Sequence, residues 1–241
     1  MKPKISIVVA AYNEEKLMPR FLRSLQRQTY PKDTFEILII NNNSTDNTAK
    51  IAKEFDVNVY TYTDIQGCGP SRAYGAKQAK GDIIAFSDPD SIVPADWLAK
   101  IDKTLSDPRL VAIGGPAAPD EKNMAMNFLF GFYHGFHLLN KAFNKPILWG
   151  FNMAVKKDAY DAVGGINPKL LSSEDWDLAF RLQKRFGKKS VQYISDMPMQ
   201  TSVRKQSDGK VFYRYAINGV INYYNYVILG KVKAIPTFNV R

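Results

Sequence analysis

Residues 4–15 read Lys4-Ile5-Ser6-Ile7-Val8-Val9-Ala10-Ala11-Tyr12-Asn13-Glu14-Glu15. Residues 4–10 form a β-branched, apolar run, the pattern of a buried strand, and the run stops at a polar turn. Apolar residues at helical spacing follow over residues 17–25. The alternation then repeats. Residues 36–40 are a second strand, ending in Asn41-Asn42-Asn43-Ser44-Thr45-Asp46, where Ser44 or Thr45 is expected to cap a helix running through Ile51 and Phe55. Residues 57–62 read as a third strand and 71–79 as a third helix. Residues 82–86 form a fourth strand that runs directly into Ser87-Asp88-Pro89-Asp90, before a helix over 94–105 and a strand over 110–113. Strands alternating with helices require right-handed crossovers and give an α/β fold with a largely parallel sheet. Such sheets bind ligands outside the carboxyl ends of their strands. The turns at 12–14, 41–46 and 88–90 are therefore expected to converge on one rim.

Composition bounds the rest. The chain has 241 residues, 45% hydrophobic and 23% charged, with no low-complexity tract and no internal repeat, and it reads as a single domain. The single cysteine, Cys68, excludes an intramolecular disulfide framework and suits a reducing compartment. The N-terminal apolar run leads straight into a polar turn and lacks the longer core of a signal peptide. With 33 Lys+Arg against 23 Asp+Glu, the formal charge is +10. That charge suits nucleic acid, an anionic membrane or a phosphorylated small substrate. The basic residues are spread along the chain in pairs such as Lys156-Lys157 and Lys188-Lys189, with no nucleic-acid module signature, so nucleic acid is not expected as a partner.

Two acidic clusters carry the chemistry. Asp88 and Asp90 flank a stiff proline just past a buried strand, an oxygen donor pair suited to Mg²⁺ or Mn²⁺ shared with substrate phosphates. Asp-Pro-Asp is also an ordinary turn composition. The second cluster is Ser172-Ser173-Glu174-Asp175-Trp176-Asp177-Leu178, with Ser173 as N-cap and Leu178, Leu182 and Phe186 as a helical apolar stripe. Its acidic residues either serve the helix dipole or include a general base. No P-loop or zinc spacing occurs, and Gly67-Cys68-Gly69 lacks the rest of a dinucleotide fingerprint. His134 and His137, three apart in an aromatic segment, read as packing residues on one helix face or as a metal pair.

Taken in order, several segments resemble glycosyltransferase family 2. Ala11-Tyr12-Asn13-Glu14-Glu15 is similar to the family's P-x-Y-N-E start, and Asn41-Asn42-Asn43-Ser44-Thr45-Asp46 to its D-D-G-S-T-D. Ser71-Arg72-Ala73-Tyr74-Gly75 resembles A-R-N-x-G, and Phe86-Ser87-Asp88-Pro89-Asp90 resembles its D-x-D segment. Trp149-Gly150-Phe151-Asn152-Met153-Ala154 and Val163-Gly164-Gly165-Ile166 resemble the acceptor-side segments that precede the E-D-x-D helix. The resemblance runs from about residue 4 to residue 187. It implies a GT-A fold binding a nucleoside diphosphate sugar, with inversion at the anomeric carbon. By position it implies that Ala11, Tyr12, Glu14, Asn42 and Arg72 line the nucleotide pocket. Asp88 then faces the ribose or sugar, Asp90 holds the metal, and Asp175 is the base with Glu174 beside it. Gln200, Arg204 and Trp176 stand as acceptor or diphosphate contacts, on a looser match of residues 200–205 to Q-x-x-R-W. The chain departs from the pattern at Ala11, where the family has proline, at Asn41-Asn42, where it has an acidic pair, and at Ala73, where Asn is common. The missing acidic residue leaves the donor base open, with GDP-mannose favoured over a UDP-hexose.

Aromatic residues are dense over residues 124–143 and 211–229, and Asn218, Asn222 and Asn225 fall at helical spacing to give one polar face. This pattern suits an interfacial helix better than a spanning one, or else packing on the sheet. The expected organisation is a nucleotide-sugar half (about 1–118), an acceptor half (about 119–205) and a C-terminal amphipathic aromatic helix (about 206–241), with transmembrane helices expected to follow in a longer protein. The expected acceptor is a lipid-linked saccharide at the cytoplasmic face of the cell membrane, or alternatively a polyprenyl phosphate. A nucleotidyltransferase and a non-catalytic nucleotide-sugar or membrane-binding module are the competing readings.

Overall fold

The computed structural model describes residues 2–121, 124–143, 145, 147–170, 173–204, 217, 220–221 and 223–225. In chain order the elements are β1 (Ile5–Ala11), α1 (Met18–Gln26), β2 (Phe35–Asn41), α2 (Thr48–Ala52), β3 (Asn58–Thr61), α3 (Cys68–Gln78), β4 (Ile83–Ser87), β5 (Ser91–Ile92), α4 (Trp97–Leu105), β6 (Ala112–Gly114), β7 (Ala117–Pro119), α5 (Met124–Ala142), β8 (Asn152–Lys156), α6 (Lys157–Ala162), α7 (Glu174–Phe186), β9 (Val191–Tyr193) and β10 (Met199–Thr201).

Seven strands form one sheet in the order β3-β2-β1-β4-β8-β6-β9. Its ladders are parallel except at β8, which runs antiparallel to both β4 and β6. Strand β1 lies inside the sheet, next to the central β4, with Ile7 beside Ile37 of β2 and Ala85 of β4. Ile5, Ile7 and Val9 pack on Phe21 and Leu22 of α1 and Trp97 of α4. Val8, on the opposite face, packs with Ala73 and Ala76 of α3 and Leu178 of α7. Burial on both faces is why β1 is a continuous apolar run rather than an alternating one. A mostly parallel α/β sheet flanked by helices is thus present, as the sequence leads one to expect.

The differences from the sequence reading are local. Helix α2 ends at Ala52, short of Phe55, and the residue in its N-cap position is Asn47. Ser44 and Thr45 are spent instead on the neighbouring turn, where Ser44 Oγ accepts the Asn13 N–H and Thr45 donates its N–H to Asn13 Oδ1. Helix α4 begins at Trp97, after a turn in which Trp97 N–H donates to the Pro94 carbonyl. Ser173 occupies the N-cap position of α7 in a left-handed conformation and makes no side-chain capping hydrogen bond. A second, three-stranded sheet, β5-β10-β7, has no counterpart in the sequence reading. Its strands are two or three residues long, too short to carry a period of their own.

Most of the expected C-terminal helix lies outside the described residues, including Asn218 and Asn222. Asn225 is buried, while Val220, Ile221 and Tyr224 are exposed, so Asn225 does not sit on a solvent-facing polar stripe. Tyr223 donates its hydroxyl to Asn140 Oδ1 of α5 at 3.0 Å and packs its ring on Phe136. Among the described residues no helix is long and apolar enough to cross a membrane.

Helix α3 approaches the sheet through Gly75, where a Cβ would stand 2.5 Å from Val8 Cγ1 and 2.8 Å from Ile40 Cγ1. We expect Gly75→Ala to push α3 off the sheet and cost about 1–3 kcal/mol, the usual penalty for overpacking. Urea unfolding of the variant against the parent measures this directly.

Candidate active site

The first two strand ends are laced together at the rim. Asn13 turns the chain at φ 51°, a left-handed value that Asn tolerates better than most side chains. Glu14 N–H donates to Thr48 Oγ1 at 2.7 Å, Glu15 N–H to Asp46 Oδ2 at 3.1 Å, and Asn47 N–H to Glu15 Oε2 at 3.1 Å. The turns after β1 and β2 therefore converge. Asn42 is buried and committed to backbone: its amide donates to the Tyr62 and Ile65 carbonyls, and its Oδ1 accepts the Gly67 N–H. It shapes the loop ahead of α3. Ala11 is buried at the end of β1, and Tyr12 is half-buried just past it.

Arg72 is the hub. Its side chain is 5% exposed, with Nη1 donating to Glu174 Oε1 and Nη2 to Asp88 Oδ1, both at 2.6 Å. One guanidinium therefore joins α3, the turn after β4 and the first turn of α7. Against desolvation, the neighbouring Cys68 and the carboxylates of Asp88, Glu174 and Asp175 hold the Arg72 guanidinium protonated well above its ordinary range. Gly150 makes room for it, since a Cβ there would lie 2.0 Å from Arg72 Nη1.

Asp175 lies beside this pair. Its Oδ2 accepts the Gly150 N–H at 2.7 Å, and its Oδ1 accepts the Trp176 N–H at 2.9 Å. Desolvation, then the neighbouring Glu174, raises its pKa to about 7, against the opposing pull of Arg72 and the two N–H donors. Glu174, 4% exposed, stays tied to Arg72, and Trp176 is half-buried. The two adjacent acids thus differ, one an ion-pair partner of Arg72 and the other a carboxyl with a raised pKa.

Asp90 is buried at the other end of the Asp-Pro-Asp turn. Around it sits a cluster that sequence reasoning found only in part. Arg204 pairs with Glu14 Oε1 at 2.7 Å, and its guanidinium also feels Asp90. Arg20 bridges Asp120 Oδ2 at 2.8 Å and the Asp90 carbonyl at 3.3 Å, while Ser202 N–H donates to that same carbonyl. Asp120 Oδ1 accepts the Val203 N–H, so Arg20 and Asp120 fasten the end of β10 to the rim. Neither residue stands out in the sequence, because each is a lone charge beside an ordinary element. Gln200 is exposed on β10, paired in register with Ile92 and Ala118.

Among the described residues no group of three His, Cys, Asp or Glu forms a metal cage. Asp88 and Asp90 offer hard oxygen donors on one turn, a partial set of the kind that Mg²⁺ or Mn²⁺ completes with phosphate oxygens and water. His134 and His137 are both engaged elsewhere, with Tyr193 Oη and the Ile147 carbonyl.

Removing the hub leaves Glu174 a buried charge without its cation. We expect Arg72→Ala to cost about 3–5 kcal/mol, read as a lower guanidinium midpoint, whereas an exposed pair such as Arg109–Asp107 is worth far less.

The family model described as Glycosyl transferase family 2 matches residues 6–164. The glycosyltransferase AglE of Haloferax volcanii is 26% identical over 181 residues, covering 72% of this chain and 59% of that protein. The chain thus spans about three fifths of that relative's length. A mannosyltransferase, PcManGT, from Pyrobaculum calidifontis, solved with GDP-Man and Mn²⁺, superposes with a TM-score of 0.76 at 22% identity, covering 98% of this chain and 67% of that one. Staphylococcus aureus TarS (residues 1–349), solved with UDP-GlcNAc, superposes at 0.65 with 21% identity, covering 93% and 67%. At these identities the two structures establish the shared GT-A fold. The family model covers well over half the chain, and the chain belongs to glycosyl transferase family 2.

Proposed function

We propose that the chain is the catalytic domain of an inverting, metal-dependent glycosyltransferase. It moves a hexose, mannose by preference, from a nucleoside diphosphate sugar to a lipid-linked saccharide at the cytoplasmic face of the cell membrane. The observation that carries this reading is Asp175: a half-buried carboxylate held by the Gly150 N–H, next to an ion pair that ties its helix to the acidic turn. Its pKa of about 7 matches a base that takes and keeps a proton near neutrality.

In the transfer, Asp175 accepts the proton of the acceptor hydroxyl. That oxygen attacks the anomeric carbon from the face opposite the diphosphate, the carbon–oxygen bond to phosphate breaks, and the configuration inverts. Arg72 holds Glu174 in an ion pair beside it. Arg204, half-exposed beside Glu14 and Asp90, is the cation suited to the leaving diphosphate. Asp90 and Asp88 would hold Mg²⁺ or Mn²⁺, which supplies positive charge against the diphosphate when bound. Asn41 Oδ1 and Arg72 Nε, both buried without a hydrogen-bond partner among the described residues, are unspent polar atoms near the rim, as a ligand site leaves them. Ala11, Tyr12, Glu14 and Asn42 border the nucleotide side, and Trp176 and Gln200 are assigned to the acceptor or diphosphate.

The membrane setting is supported by polarity. Phe128, Phe132 and Leu139 of α5 are exposed, as are Phe143 just past it, Val220 and Tyr224, in a protein of formal charge +10. An anionic leaflet satisfies both features. The donor sugar follows the GDP-Man-bound neighbour and the absence of an acidic residue at Asn41-Asn42, while UDP-hexoses remain the direct comparison. A polyprenyl phosphate acceptor would already be ionised and would have no use for Asp175.

Titration calorimetry with GDP, UDP and their sugars is expected to give binding of one nucleotide that strengthens with Mn²⁺ and loses that gain in Asp90→Ala. No binding of any nucleotide overturns the reading. Asp175→Asn should cut kcat by about 10²–10⁴-fold, the usual worth of a general base, with donor affinity unchanged. Because the Asp175 pKa is raised, the acid form dominates at low pH: turnover should climb with pH and level off above about 7. Full transfer by Asp175→Asn to a polyprenyl phosphate favours that acceptor instead.

A further inference from the structure

The loop between α5 and β8 reaches the base from the acceptor side. His137 of α5 is 3% exposed, and its Nδ1–H donates to the Ile147 carbonyl at 3.1 Å. That bond fixes the tautomer and leaves Nε2 as an acceptor, which takes the indole N–H of Trp149. The imidazole stacks on Tyr193 of β9 at 4.8 Å and 14°. The indole also packs against Tyr133 at 5.5 Å and, edge-on, against Phe151 at 5.3 Å. Its orientation is therefore set by one hydrogen bond and two rings.

The next residue is Gly150, whose N–H meets Asp175 Oδ2 at 2.7 Å. No side chain is allowed there, because Arg72 fills the space a Cβ would need. At the far end, Asn152 donates to the Pro116 and Met197 carbonyls and accepts the Trp97 indole N–H. The loop is thus pinned to α5 at Trp149, to α7 at Gly150 and to the core at Asn152.

We propose that His137 is a positioning residue for the transfer reaction: by holding the Trp149 indole it aims the Gly150 N–H at Asp175 and so sets how readily that base ionises. This inference rests on Asp175 being the base. A hydrogen bond donated to a carboxylate favours its charged form, so losing the aim of Gly150 makes Asp175 harder to ionise. Glu174 of α7 already opposes ionisation and Arg72 of α3, which also holds Asp88, favours it. Around His137 the polar neighbours are His134 on its own helix, the Tyr193 hydroxyl, and Lys141, whose ammonium sits on the Tyr193 carbonyl. Burial drives the His137 pKa down to about 4, so it stays a neutral acceptor throughout the range in which Asp175 titrates.

The test is ¹³C NMR of the full chain labelled at aspartate carboxyls, titrated from about pH 5 to about pH 9, with Asp175 assigned by its missing signal in Asp175→Asn. In His137→Phe, which keeps a ring but no acceptor, the Asp175 midpoint should rise by about one pH unit. Trp149→Phe, which removes the donor instead, should give the same rise, and the double variant no more than either alone. His137→Gln restores an acceptor and should restore the midpoint. Release of nucleotide from the donor sugar with water as acceptor should show its acidic limb displaced by the same amount at unchanged donor KM. An unmoved midpoint in Trp149→Phe, with kcat lowered equally at all pH, overturns the proposal and makes the cluster simple packing. Should His137→Phe fail to fold, Trp149→Phe, altering a half-buried ring, still decides. Turnover that survives Asp175→Asn sinks the base reading itself, whereas an unmoved midpoint in an Asp175-dependent enzyme sinks only the role of His137.

Discussion

A single buried guanidinium holds the two halves of this protein in register. Arg72 cannot be dehydrated without counter-charge, and its two carboxylate partners come from the turn after β4 and from the first turn of α7. The ion triad is thus a distance constraint as well as an electrostatic one. It fixes the acidic turn relative to the helix that carries Asp175. Two missing side chains permit it: Gly75 lets α3 lie close on β1 and β2, and Gly150 leaves the space that the guanidinium fills. Either site filled by a methyl group would move the constraint.

The parallel half of the sheet was legible because burial on both faces forces the β-branched runs of β1, β2 and β4, and because polar turns punctuate their carboxyl ends. Convergence of those ends followed from topology alone. What could not be read is the set of contacts made by isolated charges across the chain. Arg204 meets Glu14 across a separation of 190 residues, and Arg20 and Asp120 bracket Asp90, yet no spacing rule joins them. The small sheet escaped for a related reason: strands of two or three residues are defined by their neighbours, not by their own period. Asn42 shows the opposite limit. Its place beside the rim was evident from sequence, but its polar atoms turn to the backbone of the following loop.

The aromatic segments carry a second lesson about polarity. Hydropathy alone identified both stretches as apolar faces in need of cover. In the structure, α5 turns His137 and Asn140 inward and several large apolar side chains outward. The inward polar groups are satisfied by Ile147, Trp149 and Tyr223. Helical position therefore separates a specific hydrogen-bonded seam from an unspecific apolar surface.

Strand β8 is reversed between β4 and β6, and this has an effect beyond sheet geometry. A reversed strand brings its beginning, not its end, to the rim where the parallel strands finish. The segment entering β8 is the connection that contains α5, so whatever that connection carries is delivered to the rim from outside the β1, β2 and β4 units. Changes in its length or composition can remodel the far side of the rim while leaving the β1, β2 and β4 turns untouched. One inverted ladder thereby makes the two sides of the rim separately variable within a common scaffold.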